Sequence, residues 1–229
     1  MRVAALWRYP VKSLKGEALN VARLTTDGVD GDRVVHVRDK DGPLTGRTHP
    51  RLMTLPVQTI DGVPHVAGAS WDSSQTEALI KEVVGPTGEL AAYAGPERFD
   101  VLNLLVATDG AVARFGHDVR RLRPNLVIGG VDADAEVTWP GQALQIGQAL
   151  LGIHSLRQRC IATSIDPDTG EQDLDVFRRI RTEFANQLAL NAWVIRPGLL
   201  RVDDEVALVP TAELPTHLGG WVVGAPYLA

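Results

Sequence analysis

Cys160 is the sole cysteine of the chain, and it closes the run Arg157-Gln158-Arg159-Cys160. Two guanidinium groups beside a thiol favour its thiolate. A thiolate is the form that attacks an electrophile or binds a soft metal. A lone cysteine in a β-rich chain also reads as a small buried apolar residue. Local conformation separates the two readings. In an ideal strand Arg159 points away from Cys160. Only a loop or a strand end brings both into one pocket.

A second group is basic. Lys12-Ser13 follows Tyr9-Pro10-Val11, Arg33 follows Gly31-Asp32, Arg47 follows Leu44-Thr45-Gly46, and Arg123 and Asn125 flank Pro124. Each stands at or next to an expected strand end. Arginine grips phosphate with a bidentate fork, and lysine supplies a point charge. Brought together, these groups make an anion site; left apart, they are ordinary surface cations. A third feature is Asp166-Pro167-Asp168-Thr169-Gly170. Its residues are those a tight turn demands, and Asp168 could also serve as a proton donor.

Other chemistries are excluded by what the sequence lacks. One cysteine rules out an internal disulfide, a CxxC zinc site and a built-in iron–sulfur cluster. The histidines show neither HxH nor HExxH spacing, and there is no Walker, dinucleotide or GxSxG motif. In the 229 residues, Lys plus Arg total 23 and Asp plus Glu total 28, a formal net charge of -5. An acidic chain is a poor partner for nucleic acid, whose binding rests on phosphate neutralisation. No apolar run reaches the ~18–20 residues that span a bilayer. Met1-Arg2 opens directly into a strand pattern rather than a signal peptide. The expectation is a cytoplasmic protein without a membrane or nucleic-acid partner.

The elements that must position these residues are mostly short strands. Val3 to Trp7, Ala18 to Thr25, Val34 to Val37, Leu52 to Ile60, Val101 to Ala107, Asn125 to Ile128 and Ala143 to Ile153 read as β, with turn residues between them. Residues 33–46 look like a hairpin around Asp41-Gly42. Ser74 and Glu77 have capping-box spacing, and Leu79, Ile80, Val83 and Val84 continue it as a helix ended by Gly85-Pro86. Asp173 to Arg181 reads as a short helix. Ala189 to Ile195 and Leu199 to Val209 read as a closing hairpin around Pro197-Gly198. Gly95-Pro96 marks an expected domain boundary. After Pro210, Trp221, Val222 and Val223 give the tail apolar character. The expected class is β-rich, α+β.

Read together, the motifs resemble the MOSC family, the molybdenum cofactor sulfurase C-terminal domain, preceded by its N-terminal β-barrel domain. Tyr9-Pro10-Val11-Lys12-Ser13-Leu14-Lys15-Gly16, Gly28-Val29-Asp30-Gly31-Asp32-Arg33 and Leu44 to Leu52 follow the order of that N-terminal domain. Arg123 to Ile128, Trp139 and Leu144-Gln145-Ile146-Gly147 resemble the MOSC core. Arg159 to Gly170 is similar to the cofactor-binding segment of the mitochondrial amidoxime-reducing component and its bacterial relatives. Leu190 to Val194, Pro197-Gly198 and Val202 to Val206 close the match.

The resemblance implies a β-barrel domain over residues 1–95, a MOSC domain over 96–210 and a tail of unassigned role over 211–229. It implies a molybdenum cofactor (Mo-molybdopterin) with Cys160 as metal ligand. It maps the cofactor-contacting positions onto Lys12, Ser13, Arg33, Arg123, Asn125 and Arg159, with Asn191 a further hydrogen-bonding candidate. The family's frequent serine before the Arg-Cys pair is Gln158 here. Its Phe-Gly-x-Asn stretch is Leu188-Ala189-Leu190-Asn191. The implied activity is reduction of N-oxygenated small molecules, with electrons from a separate flavin or ferredoxin-type protein. The alternative is a non-catalytic carrier holding the cofactor, or a persulfide on Cys160.

Overall fold

The computed structural model describes residues 1–93, 95 and 98–210. Pro96, half of the expected boundary, and the tail with Trp221 lie outside the described residues. In chain order the first strands are β1 (Arg2–Arg8), β2 (Glu17–Leu19), β3 (Val21–Thr25), β4 (Gly28–Val29), β5 (Val35–Asp39), β6 (Gly42–Pro43), β7 (Val57–Ile60), β8 (Val63–Val66) and β9 (Ala69–Ser70). Helix α1 (Ser74–Val84), β10 (Glu89–Ala92), β11 (Leu104–Thr108), α2 (Asp109–Phe115), β12 (Leu126–Gly129) and β13 (Gln142–Ile146) follow. The chain then forms β14 (Ala149–Gln158), α3 (Leu174–Glu183), β15 (Gln187–Arg196), β16 (Gly198–Arg201) and β17 (Val206–Pro210).

One 8-stranded sheet, in the order β17-β13-β14-β15-β11-β12-β1-β2, carries the architecture. Its pairs are antiparallel except β11 with β12. Val3, Leu6, Leu104, Ile128, Leu144 and Leu190 bury one side of it in a common core. Among the described residues three 3-stranded sheets complete the β structure: β10-β5-β6, β16-β3-β4 and β7-β8-β9. A second core of Val11, Leu14, Val37, Leu52, Val66 and Ile80 lies under α1. The β-rich, α+β class stands, and among the described residues each sheet is an open ladder rather than a closed barrel. The first and last parts of the chain are interleaved: β1 pairs with β12, and β3 pairs with β16.

Several local expectations need revision. Leu52 to Ile60 is not one strand. Pro50 opens a 3-10 turn over Pro50–Thr54 that buries Leu52 and Met53, and the strand starts at Val57. Proline's fixed φ suits a first helical position, which explains the turn. Helix α1 is capped one residue earlier than the spacing of Ser74 and Glu77 suggests. The Ser73 side chain accepts the Thr76 N–H at 3.2 Å. Helix α2 goes unsignalled by apolar periodicity, though its cap is plain: Thr108 accepts the Ala111 N–H at 3.2 Å, and Gly116 ends it at φ 71°. The closing hairpin does not form. Both edges of β15 are taken, by β14 and β11, so β16 pairs with β3 and β17 with β13. No helix of the described residues is long and apolar enough to cross a membrane.

Candidate functional site

The end of β14 decides the first question about Cys160. The strand stops at Gln158, so Arg159 and Cys160 lie beyond it and both line one cavity. Cys160 is a free, exposed cysteine, which removes the buried apolar reading. It heads a 3-10 turn over Ile161–Ser164, and its carbonyl accepts the Thr163 N–H at 3.1 Å and the Thr163 hydroxyl at 2.9 Å. Arg121 braces that turn, donating to the Ser164 carbonyl at 3.0 Å and to Asp166 Oδ2 at 2.8 Å.

The cavity has a volume of about 870 Å3. Lys12, Ser13, Arg33, Arg123, Asn125, Arg159, Cys160 and Asn191 all line it. The basic residues singled out from sequence therefore converge, and Arg47, Arg121 and Arg157 join them. Among the described lining residues the lone carboxylate is Asp100. An acidic chain thus encloses a strongly cationic cavity. Phe99, Leu102 and Leu105 give part of the wall an apolar surface.

Three of the ten described non-glycine residues with positive φ line the same cavity. Ser13, Arg33 and Arg123 hold φ at 71°, 54° and 57°. This left-handed region is uncommon for residues with a Cβ, and such strain persists only where surrounding bonds enforce it. The Arg33 N–H donates to the Tyr9 carbonyl at 2.8 Å, and the Arg123 N–H to the Arg120 carbonyl at 3.1 Å.

Tyr9 is buried beneath two of the cations. Arg123 stands 4.2 Å and Arg33 5.1 Å from its ring centre. Its hydroxyl donates to the Pro124 carbonyl at 3.2 Å. Burial pushes the phenol up to about 12, so it stays neutral. Burial also pushes Arg123 down to about 10 and Arg159 down to about 9; both remain cationic at neutral pH. Arg159 donates to the Leu122 carbonyl at 2.8 Å, yet its Nε is buried without a partner, as is Nη2 of Arg123.

Lys12, Arg33, Arg121 and Arg157 have carboxylate partners. Asp100 takes Lys12 at 3.0 Å and Arg157 at 3.5 Å. Burial raises the Asp100 carboxyl, but Lys12 and Arg157 outweigh burial and hold it well below the usual range. Asn191 is spent internally: Oδ1 accepts from Arg157 at 3.4 Å and Nδ2 donates to Ser155 at 3.0 Å. Asn125 is likewise engaged, with Oδ1 accepting the Leu105 N–H at 3.1 Å and Nδ2 donating to Asp32 at 3.2 Å.

Asp168 is corrected. It lies outside the cavity lining and is gripped by Arg120 at 2.6 Å and Lys15 at 2.8 Å. Those hydrogen bonds hold its carboxyl well below the usual range, so it is an anion at neutral pH and not a proton donor. The turn reading is the right one, since Asp166 Oδ1 accepts the N–H groups of Asp168 and Thr169. Sequence reasoning missed Tyr9, Asp32 and Asp100. Only Tyr9 carried a signal, an aromatic ring beside Lys12. The two aspartates look like solvated loop residues.

The arrangement suits a bulky anion rich in acceptor atoms. Buried guanidinium N–H groups without partners are costly until an acceptor reaches them. An exposed thiol at the rim suits a soft metal. Both features fit a metal-bearing, phosphorylated pterin.

The MOSC N-terminal beta barrel domain matches residues 1–76, and the MOSC domain matches residues 104–207. Mitochondrial amidoxime-reducing component 1 of Homo sapiens is 27% identical, over 90% of this chain and 82% of its own length. Mitochondrial amidoxime reducing component 2 of Homo sapiens is 28% identical, over 78% of this chain and 72% of its own. The YuaD protein of Bacillus subtilis superposes with a TM-score of 0.48 at 11% identity, covering 92% of this chain and 96% of that one. The chain belongs to the MOSC family, with a MOSC N-terminal domain ahead of its MOSC domain and a molybdenum-cofactor-associated function.

Proposed function

We propose that the cavity holds a molybdenum cofactor, and that the chain uses it to reduce N-oxygenated compounds such as N-hydroxylated bases, hydroxylamines and amidoximes. One observation carries the reading. Arg123 and Arg159 keep buried, unpartnered N–H groups, and they line the same cavity as the exposed thiol of Cys160. Cys160 is the metal ligand. Lys12, Ser13, Arg33, Arg123 and Arg159 hold the pterin and its phosphate. Asn191 acts by steadying Arg157, and Asn125 by tying β1 and β11 to the cavity wall.

When bound, the cofactor supplies the two-electron chemistry that takes oxygen from nitrogen. The protein binds, orients and shields. Phe99, Leu102 and Leu105 offer apolar surface to the organic part of a substrate. Electrons come from a separate flavin or ferredoxin-type protein, because the chain has one cysteine and no dinucleotide motif. The two human relatives are amidoxime-reducing components, which supports the substrate class.

The carrier reading keeps one point in its favour, the exposure of Cys160. Turnover separates the two. The protein is made in a host that synthesises the cofactor and mixed with an N-hydroxylated amidine and reduced viologen. Release of the amidine supports the reductase. Bound metal without turnover favours the cofactor carrier, and absence of both metal and turnover defeats the reductase and the cofactor carrier alike.

A further inference from the structure

Asp32 is a buried carboxylate that no step above uses. Its side chain has 0% exposure, and its two oxygens serve three donors. Oδ1 accepts the Tyr9 N–H at 2.7 Å. Oδ2 accepts from Asn125 Nδ2 at 3.2 Å and forms an ion pair with Arg33 Nη1. The Arg33 N–H returns the connection by donating to the Tyr9 carbonyl at 2.8 Å. Tyr9 in turn carries Arg123 over its ring at 4.2 Å, and its hydroxyl holds the Pro124 carbonyl at 3.2 Å.

We infer that Asp32 is the positioning residue of the anion site. It fixes Arg33 directly and Arg123 through Tyr9, and so aligns a basic group from the first part of the chain with one from the second. The inference rests on the cavity being an anion site, but not on the identity of the metal or the reaction.

Two effects of removing the charge oppose each other. Asp32→Asn deletes a negative charge beside Arg33 and Arg123, and Coulomb's law alone then predicts tighter binding of an anion. Against this, an amide replaces one acceptor oxygen by an NH2 group, so whichever way it turns a donor is set against a donor, either the Tyr9 N–H or the pair Arg33 Nη1 and Asn125 Nδ2. In a fully buried position none of these donors can turn to water, so the Tyr9–Arg33 frame must shift, and Arg33 with it. Geometry wins in this account, because a guanidinium fork recognises an anion only when aligned.

The probe is inorganic pyrophosphate, titrated calorimetrically into the full chain made without cofactor. D32N is expected to bind it roughly tenfold or more weakly, the size of one lost charge-assisted hydrogen bond, with a wild-type circular dichroism spectrum. Binding equal to or tighter than wild type overturns the inference and leaves Asp32 as a mere diluent of positive charge. Arg33→Lys is the second variant, for the case where D32N does not fold. It keeps the charge and a partner for Asp32 but loses the fork, and a loss of about fivefold or more is expected. Wild-type affinity in R33K overturns the inference as well. Wild-type affinity in these variants sinks the role of Asp32 alone. Wild-type protein that carries no molybdenum, although made in a host that synthesises the cofactor, sinks the proposed function instead.

Discussion

Arg123 and Arg159 set the energetics of the site. Each is a buried cation with an unsatisfied N–H, a cost the ligand-free fold carries without return. Arg123→Met should therefore raise the melting temperature of the cofactor-free protein while weakening cofactor retention by roughly one to two decades. A thermal melt and the pterin remaining after dialysis check both halves. A variant that is no more stable and retains cofactor fully would make Arg123 an ordinary structural residue. Asp168→Asn should behave oppositely. Its partners Lys15 and Arg120 are near the surface, so the change should cost within about 1 kcal/mol and leave turnover unaltered. At this scale the sequence was legible wherever residue type announces chemistry: Cys160 and the basic groups at strand ends meet in one cavity. Asp32 was not legible. Nothing in an Asp-Gly loop says that its last carboxylate will be fully buried.

Strand β15 carries Asn191 into the cavity wall, and a kink precedes it. Ala189 holds φ at 70°, and its N–H donates to Glu136 Oε1 at 3.0 Å, while Thr108 donates to Glu136 Oε2 at 2.8 Å. Burial raises the Glu136 carboxyl above its ordinary range. The folded chain therefore keeps a proton that the unfolded chain releases. That contribution is full below about 4.3, the unfolded value for glutamate, and is lost as pH climbs through the folded one. Glu136→Gln has no proton to lose, so its melting temperature should gain on the wild type as pH rises above about 4. A gap that is constant or narrows with pH would contradict the assignment. Helices α1 and α3 were readable because capping residues and apolar spacing agree. Helix α2 was not, because Asp109–Phe115 is too short for a period to show. The false closing hairpin has a different cause. Local turn chemistry cannot report that both edges of β15 are already occupied.

Across the whole molecule, the cavity lies where the two family segments meet. Lys12, Ser13 and Arg33 come from the segment over residues 1–76, and Arg123, Arg159 and Cys160 from that over residues 104–207. Interleaved sheets fix the halves, with β1 against β12 and β3 against β16. That pairing was beyond the reach of local reading, because it joins distant parts of the sequence, Leu6 opposite Leu126 and Leu24 opposite Gly198. The same architecture bears on electron supply. A nicotinamide cofactor alone should not drive reduction of an N-hydroxylated substrate, whereas reduced viologen should. Turnover with the nicotinamide alone would defeat the partner requirement. The central claim is that Cys160 ligates molybdenum in this cavity, and metal content tests it most directly. Molybdenum and released pterin per chain are measured for wild type and for Cys160→Ser, both made in a host that synthesises the cofactor. The account predicts near-stoichiometric metal in the wild type and a sharp loss in the folded variant, because a hydroxyl is a poor replacement for a soft thiolate. Wild-type metal content in Cys160→Ser, or no molybdenum in the wild type, would contradict it.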